Sequence, residues 1–392
     1  MAVNFDEIID RKGTSCLKYD FAQKRGYPAD VLPFWVADMD FRAPQVVIDA
    51  IKKRTDHGIF GYTNFTEEYE AVIADWMTRY HNWTPANGSL VITPGVVFAI
   101  SMAITAFTEP GDAIIIQQPV YYPFGATIKN NGRQLVNNSL KLVNGHYEID
   151  FDDFEAKIKD NNVKLFLLCS PQNPAGRVWH KDELQKLADI CLKHHVLILA
   201  DEIHHEFIRP GHQHTVLASL SPEIAQNVIT CTAPSKTFNL AGLQLSNIFI
   251  ENPELRKRFK TAIYNTGYDE PNVLGFAAAQ AAYTHGRPWL DEALAYIEKN
   301  IQFAKKYLAE HLPKVRFIDT EGTYLIWLDF NAYGLSVQEL EDIIVHKAKL
   351  WLDSGHIFGE GGSGFQRINI ACPWATLEKG LKSLAAAFQA IS

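Results

Sequence analysis

Lys236 is the residue whose position most suggests chemistry. It lies in the segment Thr232-Ala-Pro-Ser-Lys-Thr-Phe-Asn239, directly after the short apolar run Val228–Cys231. Polar clusters that begin at Asn173 and at Asp201 also follow apolar runs. Most lysines are solvated surface groups, so a lysine by itself indicates little. Beside an asparagine and an aspartate, however, a lysine amine can bond covalently to a carbonyl group and move protons.

The apolar runs predict the strands that would hold these side chains together. They are short and almost continuously apolar, which is typical of parallel strands covered on both faces by helices. The runs are Ala113–Gln117, Leu165–Cys169, Val196–Ala200, Val228–Cys231 and Ser246–Ile250. Between two of them, Lys181–Lys193 has apolar residues at three- and four-residue spacing, which predicts an amphipathic helix. The alternation of strand and helix predicts an α/β domain.

Ligands of open α/β sheets bind beyond the carboxyl ends of the strands. We therefore expect five residues that follow predicted strands to meet at one edge: Asn173, Asp201, His204, Ser235 and Lys236. This set fits pyridoxal 5′-phosphate (PLP), because Asp201 would keep the pyridine nitrogen protonated and the amide of Asn173 would donate to the phenolic oxygen. The alternatives are a helix N-cap for Asp201 and an Asn-Pro turn for Asn173, and the convergence with Lys236 favours the cofactor.

The phosphate and the ring of PLP would need further contacts. Gly95 precedes a predicted helix, so the backbone amides of Val96 and Val97 could bind an anion there. The alternative for this segment is an ordinary capped helix. Tyr121 or Tyr122, which follows another apolar run, could stack on the ring as a flat aromatic face.

The last third of the chain has a different pattern. Leu290–Leu312 is predicted to be one long amphipathic helix, and a closing helix is predicted from about Leu377. Tyr324–Asp329 and Arg367–Ala371 alternate like half-covered strands. We expect three parts: an N-terminal arm over residues 1–49 that joins the small domain, a large α/β domain over 50–289 and a small α+β domain over 290–392.

Composition limits the possible functions. The 392 residues are 47% hydrophobic and 21% charged, as in globular proteins. A formal net charge of −8 offers no basic field to nucleic acid or to an anionic membrane. Neither a signal peptide nor an apolar run of ~18 residues is found, so no membrane span is expected. Five dispersed cysteines without a CxxC pair are typical of reduced thiols, which predicts a cytoplasmic protein.

Two motifs match functional patterns only superficially. Gly359–Gly364 fits GxGxxG, but a strand pattern follows it and no βαβ unit surrounds it, so a flexible loop is predicted. Four histidines occur between residues 204 and 214. Arg209, however, stands where an HExxH pattern starting at His205 needs its second histidine. We therefore expect no metal site.

Three motifs together resemble those of fold-type I PLP-dependent enzymes. They are Asn173-Pro-Ala-Gly176, Asp201-Glu-Ile-His204 and Ser235-Lys-Thr-Phe-Asn239. The segment Phe34–Phe41 resembles the MalY/PatB branch, the cystathionine β-lyases or cysteine-S-conjugate β-lyases. The similarity runs along the whole chain. It implies a large domain with a mostly parallel seven-stranded sheet and a smaller α+β C-terminal domain.

The resemblance implies a role for each matching residue around the cofactor. Lys236 would form the internal aldimine with PLP, Asp201 would pair with the ring nitrogen, and Asn173 would hold the phenolic oxygen. His204 stands where related aminotransferases have a tyrosine. The remaining cofactor contacts would be Gly95, Val96, Val97 and Ser235 at the phosphate and Tyr121 on the ring.

The resemblance also implies a partner subunit and a substrate site. Tyr62 would reach the PLP phosphate of the neighbouring subunit, which implies a homodimer. Arg367 would bind the substrate carboxylate, with Trp35 and Ala37 also at the substrate. Two positions depart from the superfamily pattern and remove phosphate contacts, because Gln244 replaces a common arginine and Ala233 a common serine.

The implied reaction is β-elimination from L-cystathionine or a related cysteine thioether, which yields a thiol, pyruvate and ammonia. Lys236 would take the α-proton, with Tyr121 and Asp201 as the other catalytic residues. An aminotransferase on the same fold is the main alternative, since it would share nearly all these residues but require a 2-oxo acid acceptor. A regulatory role, in which the protein binds a transcription factor, is compatible with either activity.

Overall fold

A seven-stranded sheet forms the centre of the computed structural model, which describes residues 3–390. The strands of the protein are β1 (Leu32–Pro33), β2 (Leu90–Thr93), β3 (Ala113–Ile116), β4 (Gln134–Asn137), β5 (Lys141–Val143), β6 (His146–Glu148), β7 (Leu165–Cys169), β8 (Leu197–Asp201), β9 (Val228–Thr232), β10 (Ser246–Phe249), β11 (Arg316–Phe317), β12 (Leu325–Asp329), β13 (Leu350–Trp351), β14 (Asp353–Ser354) and β15 (Phe365–Asn369). The central order is β2-β10-β9-β8-β7-β3-β4. β10 runs antiparallel to both its neighbours and every other pair is parallel, so the predicted mostly parallel sheet is confirmed.

Helices connect the strands. They are α1 (Gln45–Asp56), α2 (Glu67–His81), α3 (Val96–Phe107), α4 (Pro123–Asn130), α5 (Phe151–Asp160), α6 (Lys181–Lys193), α7 (Pro222–Ala225), α8 (Pro234–Thr237), α9 (Pro253–Tyr264), α10 (Val273–His285), α11 (Arg287–His311), α12 (Val337–Asp342) and α13 (Trp374–Gln389). No helix within residues 3–390 is long and apolar enough to cross a membrane.

Burial explains why the strand predictions succeed. All residues of β7, β8 and β9 are buried, as expected for strands with side chains packed on both faces. Helix α6 has the predicted bounds and buries its apolar stripe, including Leu184 and Leu187. Its start is fixed by the Glu183 carboxylate, which accepts a hydrogen bond from the backbone N–H of His180 (2.7 Å).

The C-terminal third contains a four-stranded sheet of order β11-β12-β15-β14. The predicted strand Arg367–Ala371 is displaced by two residues, to Phe365–Asn369, because Phe365 and Gln366 already pair with β12. The closing helix starts before Leu377, at Trp374, directly after Pro373. Trp374 is exposed and adds nothing to an apolar stripe, so periodicity misses this first turn.

The N-terminal arm pairs with the C-terminal third of the chain. β1 and β13 form a two-stranded parallel sheet, with Leu32 opposite Leu350 and Pro33 opposite Trp351. The arm continues past β1 into the segment Phe34–Phe41, which reaches the carboxyl edge of the central sheet. The division of the chain into parts at residues 49 and 289 stays a prediction.

Candidate active site

A cavity of about 210 Å³ lies beyond the carboxyl ends of β7, β8 and β9. It brings together residues that are far apart in the sequence, as the strand-end argument predicts. The predicted site residues that line it are Ala37, Gly95, Val96, Val97, Tyr121, Asn173, Asp201, His204, Ser235 and Lys236. Their chemical roles stay predictions.

Lys236 lies on α8, the short helix that follows β9. Its Nζ donates a hydrogen bond to the backbone oxygen of Ala37 (2.7 Å). Burial lowers the pKa of Lys236 to about 8, although the nearby carboxylate of Asp38 acts in the opposite direction. The amine therefore loses its proton far more readily than an ordinary surface lysine.

Asp201 ends β8 and is buried between the thiol-bearing residues of the two adjacent strands, Cys169 and Cys231. Its Oδ1 accepts a hydrogen bond from the backbone N–H of Ile203 (3.1 Å). Burial raises the pKa of Asp201 to about 7, and this backbone bond and Lys236 only partly oppose the rise. A cation placed against the carboxylate would lower that pKa again.

Arg367 lies in β15 and is buried beside the cavity. Its Nη1 donates to Asn173 Oδ1 (3.0 Å), and its Nη2 donates to the backbone oxygen of Trp35 (2.8 Å) and forms an ion pair with Asp353. Among residues 3–390, its Nε has no hydrogen-bond partner. Because Asn173 uses its oxygen for Arg367, its NH₂ group is left for another acceptor.

The start of α3 forms one wall of the cavity. Its N-cap residue is Gly95, which has no side chain with which to cap the first turn. Val96 is buried and Val97 is 40% exposed. A Cβ at Gly95 would meet no atom within 4 Å, so the space beside this glycine is open. Such a helix start favours a bound anion.

His204 and Tyr121 are neutral groups on the cavity wall. Burial lowers the pKa of His204 well below its usual value, and its Nδ1 has no partner within the described part of the chain. Burial raises the pKa of Tyr121, so its hydroxyl stays protonated. Of the two candidate tyrosines, Tyr121 lines the cavity, whereas Tyr122 packs edge-on against Phe358 (ring centroids 5.8 Å apart).

Two predicted residues lie away from the cavity of their own chain. Tyr62 is 94% exposed and lines a separate groove with Glu270–Leu274. Trp35 contacts Arg367 through its backbone oxygen, and its ring stacks on Trp351 (4.4 Å between centroids).

Sequence reasoning missed Asp38 and Asp353. Asp38 is held by Arg11 (2.6 Å), and although burial opposes it, this contact keeps the pKa of Asp38 below its usual value, so a negative charge persists near Lys236. Asp353 stands opposite Arg367 across the β14–β15 pair. β14 has only two residues, too few for a periodic signal.

Comparison with known proteins identifies the family. Residues 29–384 match the model of aminotransferase class I and II, and the chain belongs to this family. It is 46% identical to cystathionine beta-lyase PatB of Bacillus subtilis (strain 168), over 98% of this chain and 100% of that protein. The predicted resemblance to the PatB branch is thereby confirmed.

Solved structures agree with this assignment. Cystalysin from Treponema denticola, which contains a PLP cofactor, has 41% identity and a TM-score of 0.97, with 100% of both chains covered. The PLP-bound C–S lyase from Staphylococcus hominis has 34% identity and a TM-score of 0.92, with 99% of this chain and 98% of that chain covered. The predicted fold-type I architecture is confirmed.

Proposed function

We propose that this protein is a PLP-dependent carbon–sulfur β-lyase. It cleaves L-cystathionine and related cysteine thioethers to a thiol, pyruvate and ammonia, with homocysteine as the thiol from cystathionine. The observation that carries this proposal is the meeting of Lys236, Asp201 and Asn173 at one cavity. The names of PatB and of the Staphylococcus hominis C–S lyase support this substrate class.

The cavity residues fit PLP. Burial raises the pKa of the Asp201 carboxyl, and a protonated ring nitrogen beside it would lower that pKa again. The uncapped start of α3 suits a phosphate, and the free NH₂ group of Asn173 suits a phenolate oxygen. Lys236 would hold the cofactor covalently. When bound, PLP supplies an electron sink for the negative charge that forms at the substrate Cα.

The side chains of the protein bind the substrate and move its proton. Arg367 would bind the substrate carboxylate with its guanidinium group, which Asp353 and the backbone oxygen of Trp35 hold in place. Lys236, freed from the cofactor once the substrate amine has taken its place, would then take the α-proton as a neutral amine, which its lowered pKa permits near neutral pH. Loss of the thiolate from the β-carbon would follow, and the proton taken by Lys236 could pass to the leaving sulfur. Water would then hydrolyse the released imine to pyruvate and ammonia.

A substrate panel with and without a 2-oxo acid tests this function. We expect purified protein to release pyruvate and free thiol in equal amounts from cysteine thioethers, with no requirement for an acceptor. An aminotransferase, which could use the same cavity, would instead show no turnover until a 2-oxo acid is added. Failure to form pyruvate from any thioether would remove the lyase proposal.

We further propose a homodimer in which Tyr62 reaches the cofactor phosphate of the partner subunit. The support is an exposed apolar segment, since Ile59, Phe60 and Tyr62 are all largely exposed and monomers rarely leave such patches open.

The substrate is a small amino acid. The five free cysteines, four of them buried, favour a reducing compartment such as the cytoplasm.

A further inference from the structure

A buried group of histidine and glutamate side chains lies behind the cavity. His205 and Glu206 follow the site residue His204 in the chain, and His81 reaches them from the last residue of α2. The side chains of His81, His205 and Glu206 are 6%, 0% and 3% exposed. Each residue offers one ligand atom, a ring nitrogen or a carboxylate oxygen, and these atoms lie within 4.8 Å of one another. None of the three lines the cavity of the proposed reaction.

The hydrogen bond at Nδ1 fixes the proton of His205. Nδ1 lies 2.5 Å from the backbone oxygen of Glu202, and because a carbonyl oxygen can only accept, this nitrogen bears the hydrogen. In the neutral ring, Nε2 is then a lone pair. It lies 3.2 Å from Glu206 Oε1 and makes no hydrogen bond within residues 3–390. Two lone pairs facing each other in a dry interior need a cation between them.

His81 faces the same oxygen. Its Nε2 lies 2.9 Å from Glu206 Oε1, where the lone pair of a neutral ring could act as a ligand. Ligand atoms on a tetrahedral Zn²⁺, at about 2 Å from the ion, are about 3.3 Å apart. The two nitrogen–oxygen distances are close to that value.

We infer that His81, His205 and Glu206 form a binding site for a divalent transition-metal ion, with Zn²⁺ as the ion that two imidazoles and a carboxylate favour. Atoms outside the ligand set already hold the ligands as metal sites require. Glu202 O accepts from His205 Nδ1, and Trp76 Nε1 donates to Glu206 Oε1 (2.6 Å). The inference departs from the expectation of no metal, which rested on HExxH spacing within one helix and could not include His81.

A bound ion would join α2 to the segment that follows β8. That segment starts directly after Asp201 and contains His204, so the ion would hold one wall of the cavity from behind without touching substrate. Its occupancy would add to stability as ligand binding does. A proton on His205 Nε2 competes for the same place, because that nitrogen faces Glu206 Oε1 at 3.2 Å. The site therefore has two exclusive occupants, a metal ion or a proton on His205.

Zinc binding and anomalous scattering test the inference. The holoprotein is stripped with a chelator, dialysed and titrated with ZnCl₂ in a calorimeter. Crystals grown with zinc are measured on both sides of the zinc absorption edge. We expect one ion per chain, an anomalous peak between His81, His205 and Glu206, and a melting temperature that rises with zinc.

Matched serine variants give the control. His205→Ser removes one ligand and should weaken zinc binding by at least 10–100-fold, the loss common even for residues that only support a ligand. His212→Ser, at an exposed histidine of the same segment, should bind zinc like the unchanged protein. Equal zinc affinity in the two variants, no binding by the unchanged protein, or a peak elsewhere would overturn the inference. The anomalous peak is measured on the unchanged protein, so it still tests the inference if His205→Ser folds poorly.

Discussion

Burial and nearby charges have opposing effects on the pKa of the Lys236 amine. Burial disfavours its charged form, while the carboxylates of Asp38 and Asp201 favour it, and the balance gives a pKa of about 8. Asp38 keeps its charge because Arg11 holds it. The amine can therefore be neutral when it acts as a nucleophile and can carry a proton afterwards. A residue with these two states is what α-proton transfer requires.

The pH dependence of cofactor loading tests this pKa. Only the neutral amine attacks the PLP aldehyde, so the rate at which apoprotein takes up PLP should rise with pH and level off above about 8. An ordinary lysine would still show a rising rate near pH 10. Stopped-flow absorbance of cofactor uptake measures the rate. A midpoint above pH 10 would contradict the account of Lys236.

Asp201→Asn should have opposite effects on the apoprotein and on cofactor binding. Folded Asp201 stays protonated up to a pKa of about 7, whereas in the unfolded chain it ionises near 4, so the stability cost of this residue grows between these pH values and is complete above pH 7. The variant should therefore stabilise apoprotein at pH 8 by up to about 4 kcal/mol, and less at pH 5. Urea unfolding measures this difference. A gain that does not change with pH would contradict the buried-carboxylate explanation.

The same variant should bind PLP more weakly, because the ring nitrogen loses its anionic partner. Equilibrium dialysis of the cofactor measures this loss against the unchanged protein. Unaltered affinity would mean that Asp201 does not face the ring.

Among the elements, α3 contributes backbone groups and not side-chain chemistry. Val97→Asp adds a negative charge to its first turn, which should stabilise the apoprotein by about 0.3–1 kcal/mol through the helix dipole. The same charge should repel the phosphate and weaken PLP binding by roughly tenfold or more. Val97→Asn has the same shape without the charge and serves as the control. Equal PLP affinity in the two variants would show that the phosphate lies elsewhere.

The strands explain how much of the fold and site could be predicted. Strands such as β7 and β8 are almost entirely apolar because both faces are covered. Their positions, and the polar residues at their ends, could therefore be predicted from the sequence. The two-residue strands β1, β13 and β14 have no periodicity, yet they place the partners of Arg367. Asp38 was missed for a similar reason. It enters the site from an arm whose path depends on tertiary contacts with Arg11 and Asn369.

At the scale of the whole molecule, the proposed homodimer would complete each site with Tyr62 from the second subunit. Tyr62→Ala and Lys236→Ala should each lower lyase activity, but through different subunits. When the two variants are unfolded together and refolded, the mixed dimer should contain one intact site. Random pairing should then restore about a quarter of the activity of the unchanged protein. No recovery in a mixture shown by ultracentrifugation to be dimeric would contradict the shared site.

The central claim is that Lys236 moves the α-proton in carbon–sulfur cleavage. The most direct measurement is pyruvate and homocysteine release from L-cystathionine by Lys236→Ala, reconstituted with PLP and compared with the unchanged protein. We predict that turnover falls by about 10²–10⁴-fold, the usual contribution of a positioned general base, and that the absorbance of covalently held cofactor disappears with it. Turnover that persists at the rate of the unchanged protein would contradict the account.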